Sequence, residues 1–259
     1  MTPRKAALGI AAWSGYLFLM MPSLIVVPMS FGDRDDFQFP PRSLSIHLYE
    51  KYFFESSWLT ATLESFIVAV GAAAIALLLG IGAAYGIARN EFPGRRIVLF
   101  FLLSPLFVPV IVVALGLYLY LAPLGLAGTT LGLILSHSVL TVPFVIVTAL
   151  AGLREVDPAL ETAARIMGAS QLRVFVTVTV PLLRPAIVAG GLFAFLVSFD
   201  EVVIAYFVTS QQTQTLPVKM YSSIQWEISP VLAAVATLLT VLSLFVCLVG
   251  AFTQPKEHQ

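Results

Sequence analysis

The sequence predicts an all-α membrane protein with six transmembrane helices. Hydrophobic residues make up 59% of its 259 residues and charged residues only 11%, against about a quarter in ordinary soluble domains. A soluble domain of this composition would lack a polar surface. A helix needs about 20 mostly apolar residues to cross the hydrocarbon core of a bilayer. The predicted spans are residues 7–29, 60–88, 97–121, 130–153, 185–208 and 231–252.

The first span begins beside basic residues, as a signal peptide does. Its charge-free stretch runs from Ala6 to Gly32, which is longer than the apolar region of about 7 to 15 residues in a signal peptide. We therefore predict that this segment is retained as a membrane span. The net charge of zero argues against nucleic-acid binding, which needs a basic face.

The third and fourth predicted spans form a helical hairpin. No charged residue lies between Arg96 and Arg154, and the turn from Ala122 to Thr129 joins the two spans. Proline inside a membrane helix is tolerated because neighbouring groups satisfy the freed backbone. Prolines such as Pro105 and Pro109 therefore leave the third span unchanged in this prediction.

The basic residues predict the orientation, because cytoplasmic loops are enriched in Lys and Arg. Ten of the 14 fall on one predicted face and four on the other. Both termini and the loop at residues 154–184 are therefore predicted to be cytoplasmic. The ten are Arg4, Lys5, Arg89, Arg95, Arg96, Arg154, Arg165, Arg173, Arg184 and Lys256, and the four are Arg34, Arg42, Lys51 and Lys219.

Two longer loops are predicted on the outer side, at about residues 30–59 and 210–230. The first carries Asp33, Asp35 and Asp36 among aromatic residues. It is either a solvated loop or a surface that faces a soluble partner.

The loop at residues 154–184 is predicted to contain two short helices. Asp157 is a good helix cap and Pro158 suits the first helical position. Gly168 permits the change of direction that ends the first helix, and Ser170 can cap the second.

The first of these helices is amphipathic. Glu161 and Arg165 form an i, i+4 pair beside one apolar stripe. Such a helix under a membrane bundle can insert into a groove of a soluble partner, or it can lie among the lipid headgroups. The stripe consists of Leu160, Ala163, Ala164 and Met167.

The chain carries no motif for chemistry that would drive transport. It has no G-x-x-x-x-G-K-[ST], H-E-x-x-H or G-x-S-x-G sequence. The sequence therefore lacks the motifs that ATP hydrolysis and proteolysis require. We expect no catalytic residue, metal or cofactor in this chain, and we expect its energy to come from a partner.

Acidic residues in a membrane span usually face a water-filled path or a partner. Asp200 and Glu201 lie in the outer half of the fifth span, and we predict that at least one lines a path or gate. The alternative is an ion pair at a helix interface. Tyr206 is a third path candidate, Glu64 is placed where it can snorkel, and His137 is predicted to be a hydrogen-bonded packing residue.

These segments resemble the permease subunits of binding-protein-dependent ABC importers, whose cytoplasmic loop reads E-A-A, three residues, G, and a later L-P. The chain departs at Thr162, where the family has Glu, and Glu161 lies one residue early. From about Leu59 onward the chain is most similar to the spermidine/putrescine-type branch, in blocks such as S-F-D-E-V-V-I-A-Y-F-V-T. The matching loop positions are Thr162, Ala163, Ala164, Gly168 and Pro181.

The resemblance implies one permease domain over residues 1–259, with the type I importer fold, in a bacterial inner membrane. It implies a second homologous permease, two ATPase subunits that bind ATP and Mg, and an external substrate-binding protein as partners. Its cargo would be a small organic solute such as a polyamine or a related amine. The implied ATPase-coupling residues are Glu161, Thr162, Ala163, Ala164, Arg165, Gly168 and Ala169.

Two other classes of protein remain open at this point. A stand-alone secondary transporter or channel needs its own ion-coupling site and often has inverted repeats. This sequence has few acidic residues in its predicted spans and no evident repeat, so it fits that class poorly. An assembly subunit without a transport path would tolerate replacement of Asp200 and Glu201.

Overall fold

The computed structural model describes residues 3–33, 39–54, 56–226 and 229–253. In these ranges the regular structure is helical, apart from one isolated β-bridge between Gly32 and Leu44, so the predicted all-α class is confirmed. The helices are α1 Pro3–Met29, α2 His47–Phe54, α3 Ser56–Arg89, α4 Arg95–Leu103, α5 Val110–Leu121, α6 Thr130–Glu155, α7 Pro158–Ile166, α8 Gln171–Val174, α9 Val180–Leu182, α10 Arg184–Phe199, α11 Val203–Val208, α12 Leu216–Trp226 and α13 Val231–Thr253.

Three of these helices, α1, α3 and α6, are long and apolar enough to cross a membrane as single helices. They match the first, second and fourth predicted spans. Two bent pairs of helices raise the number of spans to five if each pair counts as one, and the described apolar part of α13, Val231–Leu244, is shorter. The predicted count of six therefore stays a prediction.

The third predicted span is wrong as a continuous helix. It is divided into α4, the 3₁₀ turn Ser104–Leu106 and α5, and the two halves meet at 99°. Pro109 precedes α5 with an extended backbone, φ −53° and ψ 128°. A proline has no N–H for the preceding turn and its ring clashes with that turn, so two prolines within five residues break this helix.

The fifth predicted span is also interrupted. Helix α10 ends at Phe199 and α11 begins at Val203. At its other end α10 starts with Arg184 and Pro185, and it lies at 77° to the preceding segment Gln171–Leu182. The break after Phe199 leaves Asp200 and Glu201 outside regular helix.

The chain divides into two compact units, and α6 is the central helix of the unit Ala61–Lys219. Small residues allow its neighbours to approach closely, as is common between membrane helices. A Cβ added to Gly80 of α3 would lie 2.8 Å from Val145 of α6, and one added to Gly152 of α6 would lie 2.6 Å from Ala186 of α10. Any side chain at these glycines would push the helices apart.

Two buried apolar clusters lie at opposite ends of α6. One surrounds Leu133 and includes residues of α5 and α11. The other joins Leu153 to Tyr85 of α3 and to Leu183. The second cluster fixes the end of α6 from which the chain enters the loop at residues 154–184.

The other unit contains α1, α2 and α13. Both α1 and α2 pack against α13. Large side chains of α1, such as Trp13 and Phe18, are exposed, as is expected of a helix whose face is covered by lipid or by another chain.

Two helices lie in segments predicted as loops. Helix α2 has only eight residues, with Leu48 and Tyr52 buried, and α12 has 11 residues. Both are far shorter than a membrane span, so a search by span length does not find them. Of the acidic residues in the first outer loop, Asp33 accepts a hydrogen bond from Ser43, and Asp35 and Asp36 lie outside the described residues.

Candidate functional site

Helix α7 begins and ends where the sequence predicts. The Asp157 side chain accepts a hydrogen bond from the backbone N–H of Ala159 at 2.9 Å, and Pro158 occupies the first turn. Gly168 has a left-handed backbone with φ +89°, and the N–H of Ala169 donates to the carbonyl of Ala164 at 3.1 Å. This is the usual glycine termination of a helix.

The second short helix is capped by Ser170, whose hydroxyl accepts a hydrogen bond from the N–H of Arg173 at 3.4 Å. Helix α8 is only four residues long and continues into a π-helical turn, Phe175–Thr179. The predicted second helix is therefore present, with a wider turn in its second half.

The buried face of α7 includes only one residue of the predicted apolar stripe, Ala164. Its buried residues are Glu161 and Ala164, whereas Leu160 and Ala163 are exposed and Met167 is 83% exposed. A carboxylate occupies the inner face because polar partners from three elements meet it there. The apolar side chains are consequently displayed outward.

Glu161 is the centre of a buried polar network, with only 1% of its side chain exposed. Its Oε1 atom accepts hydrogen bonds from Arg89 Nε at 3.0 Å and from Thr179 Oγ1 at 3.1 Å. Its Oε2 atom accepts from the Tyr85 hydroxyl at 3.3 Å and lies 3.6 Å from an Arg165 guanidinium nitrogen. We call these five residues the Glu161 network.

The Glu161 network connects α7 to the rest of the unit. Tyr85 and Arg89 lie at the end of α3, and Thr179 lies at the end of the π-helical turn. Arg89 also donates from Nη2 to the carbonyl of Val156 at 2.9 Å. A buried charge is tolerated only when it is paired and its remaining hydrogen-bonding capacity is satisfied, so each member depends on the others.

The loop at residues 154–184 exposes several large apolar side chains among its polar residues. We call these exposed apolar side chains the α7 surface. Large apolar side chains left exposed on a polar segment are candidates for an interaction site. The exposed residues are Leu160, Ile166, Met167, Leu172 and Val176.

Glu161 and Thr162 are the two positions at which this sequence departs from the family motif. Their side chains have different surroundings. Glu161 points inward, as described. Thr162 is exposed, and its hydroxyl donates to the carbonyl of Pro158 within α7 at 3.1 Å. The inward carboxylate is therefore supplied by Glu161, one position before the place of the motif.

Asp200 and Glu201 lie at the break between α10 and α11 and have different surroundings. Glu201 caps α11, since its Oε1 accepts a hydrogen bond from the N–H of Ile204 at 2.8 Å. Asp200 is exposed and lines an open groove of about 400 Å³ together with Phe193, Leu196, Val197 and Glu201. Neither acid makes an ion pair with any residue that the structure describes.

The third path candidate, Tyr206, lies on α11 and is not among the residues that line this groove. Nearby, His137 Nδ1 is 2.8 Å from the Ser198 hydroxyl and the ring is buried, which confirms a hydrogen-bonded packing residue. Glu64 accepts a hydrogen bond from Thr130 at 2.6 Å, so it has a partner within the protein.

Sequence reasoning missed Tyr85 and Thr179 and used Arg89 only as a marker of orientation. One signal was present in the sequence. Tyr85 and Arg89 are four residues apart at the end of a long apolar helix, which places both on one face. Their partner on another element cannot be read from that spacing.

Comparison with known proteins gives a consistent answer. The family model described as binding-protein-dependent transport system inner membrane component matches residues 76–256. The chain is 30% identical over 244 residues to the spermidine/putrescine transport system permease protein PotC of Haemophilus influenzae, covering 94% of this chain and 95% of that protein. It is 32% identical over 232 residues to the putrescine transport system permease protein PotI of Escherichia coli, covering 87% and 82%.

A solved structure shares the fold. It is a bacterial ABC transporter involved in the import of the acidic polysaccharide alginate, with a TM-score of 0.75 and 17% identity, covering 98% of this chain and 99% of the other. At this identity the likeness concerns the fold alone. From the family match and the relatives together, the chain belongs to the binding-protein-dependent transport system inner membrane components, the permease subunits of ABC importers.

Proposed function

We propose that this permease forms half of the translocation path for a polyamine or a related amine, and that ATP hydrolysis in partner subunits drives the import. The partners would be a second homologous permease, two ATPase subunits that hold ATP and Mg, and an external substrate-binding protein. The comparisons support an importer permease and give no support to a stand-alone secondary transporter or channel.

The observation that carries the coupling role is the Glu161 network. It joins α7 to α3 and to the π-helical turn through one buried carboxylate. A helix held in this way moves together with the elements it is bonded to. The α7 surface would occupy a groove on an ATPase subunit, in the helix-in-groove mode of recognition, and the network would transmit the motion to the membrane helices.

The residue proposed to act in the path is Asp200. Its carboxylate lies in an open groove between apolar side chains, and it has no ion-pair partner among the described residues. A carboxylate in a partly desolvated passage attracts a cation more strongly than it would in water. We propose that Glu201 fixes the break between α10 and α11, because its side chain caps α11.

The proposed orientation places both termini and the α7 surface in the cytoplasm. It is supported by the ten-to-four distribution of basic residues along the sequence. Five of the ten lie in or next to the segments that surround the Glu161 network: Arg89, Arg95, Arg96, Arg154 and Arg165.

The solute proposal rests on the names of the PotC and PotI relatives and on the acidic groove. The fold does not decide the solute, because the structure that shares it belongs to an importer of an acidic polysaccharide. A negatively charged cargo would be repelled by Asp200, so charge separates the two possibilities.

The test is ATP-dependent uptake by the complete importer in proteoliposomes. Spermidine and putrescine should accumulate, and alginate oligosaccharides should not. Uptake should stop when the nonhydrolysable analogue of ATP replaces ATP. Accumulation of the anionic saccharide with no uptake of either amine would refute the proposed solute while leaving the importer role intact.

A further inference from the structure

A second cavity lies beside the Glu161 network, with which it shares Arg89, at the point where α3 ends, α4 begins and α6 ends. It is a cleft of about 820 Å³, which we call the arginine cleft. It is an order of magnitude larger than the volume of one water molecule. Its lining residues are Ile87, Ala88, Arg89, Glu91, Phe92, Gly94, Arg95, Arg96, Ile97, Leu99, Leu150, Leu153 and Arg154.

The polar side of the cleft is strongly basic. Four arginines line it against a single acid, Glu91. Arg89 is engaged by Glu161 and by the carbonyl of Val156. Among the residues that the structure describes, Arg95, Arg96 and Arg154 make no hydrogen bond or ion pair through their side chains.

The backbone at the cleft favours an anion as well. Helix α4 starts at Arg95, after Gly94, and no side chain caps its first turn. The unpaired N–H groups and the helix dipole at such an end attract negative charge. The three uncompensated guanidinium groups and this helix end face the same cavity.

The other side of the cleft is apolar and belongs to helices that cross the membrane. Ile87 and Leu153 are buried side chains of α3 and α6, and Leu150 lies one turn earlier in α6. On α4, Ile97 is exposed beside the cleft and is followed along the helix by exposed Phe100 and Phe101. A ligand that fits has an anionic head and an apolar tail.

We propose that the arginine cleft binds the phosphate of an anionic phospholipid, with the acyl chains lying along the apolar face of α4. Arginine suits this role because its planar group bonds two phosphate oxygens at once, and basic pockets between membrane helices bind anionic headgroups. The enrichment of basic residues that orients membrane proteins explains why arginines are frequent here. It does not require that they share a cavity with an apolar wall.

The experiment titrates the purified full-length chain in detergent with phosphatidylglycerol or phosphatidylcholine and counts bound lipid by native mass spectrometry. The chain should bind phosphatidylglycerol in preference to phosphatidylcholine. The double variant Arg95→Gln/Arg154→Gln should lose roughly thirtyfold in apparent affinity for phosphatidylglycerol, since each basic residue near an anionic headgroup contributes about fivefold.

Two further variants make the result interpretable. Arg95→Lys/Arg154→Lys keeps the charge and should retain most of the binding, which excludes misfolding of the region as the cause of the loss. Arg184→Gln removes an exposed arginine outside the cleft and should bind as the unaltered chain does. Equal binding by the Arg95→Gln/Arg154→Gln variant and the unaltered chain, or an equal loss in Arg184→Gln, would overturn the proposal.

The source of the phosphate is tested by competition. Inorganic phosphate and glycerol phosphate should fail to displace bound phosphatidylglycerol, because they lack the apolar tail. Displacement by either at similar concentration would assign the cleft to a free phosphate. Loss of bound phosphatidylglycerol on addition of the ATPase subunit would assign the cleft to a protein partner, and either result rejects the lipid.

Discussion

At the scale of single residues, the polar side chain at position 161 organises the loop. Its carboxylate is buried, and Arg89, its partner at 3.0 Å, is only 12% exposed. Removal of one partner from a buried pair leaves the other charge uncompensated, which costs far more than the net stabilisation that the pair provides. The exposed Arg165 contributes less, because solvent screens it.

We therefore expect Glu161→Ala to destabilise the unit that contains the Glu161 network by about 3–5 kcal/mol. The measurement is thermal unfolding of the solubilised chain, together with uptake by the reconstituted importer. Glu155→Ala is the matched control, because Glu155 is an exposed glutamate at the end of α6, and its melting temperature should not change. Equal melting temperatures for the two variants would show that the network does not hold the loop.

The two acids at the break after Phe199 should respond differently to substitution. Asp200→Asn removes the groove charge and should reduce amine uptake at unchanged abundance of the assembled complex. Glu201→Gln keeps an oxygen that can accept from Ile204 and should be tolerated, whereas Glu201→Ala loses a helix cap worth about 1 kcal/mol. Uptake and complex abundance are measured in the same preparations.

Normal uptake by Asp200→Asn, alone and combined with Glu201→Gln, would remove Asp200 from the path. It would also favour a subunit that takes part in assembly and has no passage of its own. Loss of the complex in Asp200→Asn would instead indicate a structural role for this carboxylate.

At the scale of elements, the turn at Gly168 sets the direction of the chain after α7. Its φ of +89° is a conformation that L side chains rarely adopt, and no atom lies within 4 Å of a Cβ added there. The cost of a substitution is therefore conformational, about 1–3 kcal/mol for a residue held in this region, and not a steric clash with the rest of the protein.

We expect Gly168→Val to weaken ATPase docking and ATP-dependent uptake while the chain still inserts into the membrane. The control is Gly82→Val, because Gly82 lies within α3 and a Cβ added there also meets no atom within 4 Å. Docking is measured by copurification of the ATPase, and insertion by recovery of the chain in the membrane fraction. If Gly168→Val retains docking and uptake at the level of Gly82→Val, the turn at Gly168 is not needed for α7 to couple the permease to the ATPase subunit.

The helices whose ends depend on residues close in sequence could be predicted from local signals. Asp157, Pro158, Gly168 and Ser170 define both helices of the loop because a cap or a glycine acts within one turn. Apolar length located α1, α3 and α6 for the same reason. The 99° bend after Leu106 is not predictable from the prolines alone, because a proline does not always break a membrane helix. Helix α6 continues through Pro143.

The buried face of α7 was not predictable from its own sequence. Periodicity identifies the apolar stripe and leaves open whether it faces a soluble partner or the lipid headgroups, whereas the partners that bury Glu161 come from positions 72 and 18 residues away. Only the packing of α3 and the π-helical turn against α7 brings Arg89 and Thr179 to that carboxylate. The choice between Glu161 and Thr162 depended on the same long-range contacts.

At the scale of the whole molecule, we propose that the chain supplies a passage and a docking surface, and its sequence contains no motif for ATP hydrolysis. Its relatives are permease subunits, and most of their length is matched. We propose that the α7 surface lies in the cytoplasm against an ATPase subunit and is held there by the Glu161 network.

The most direct test of that claim is photo-crosslinking in cells that express the complete importer. A photoreactive residue replaces Met167, which is 83% exposed on the α7 surface, or, as a control, Phe54, which is 84% exposed in the predicted outer loop. The account predicts an adduct between position 167 and an ATPase subunit, and none from position 54. Adducts of position 167 with lipid or with the external binding protein, and none with an ATPase, would contradict it.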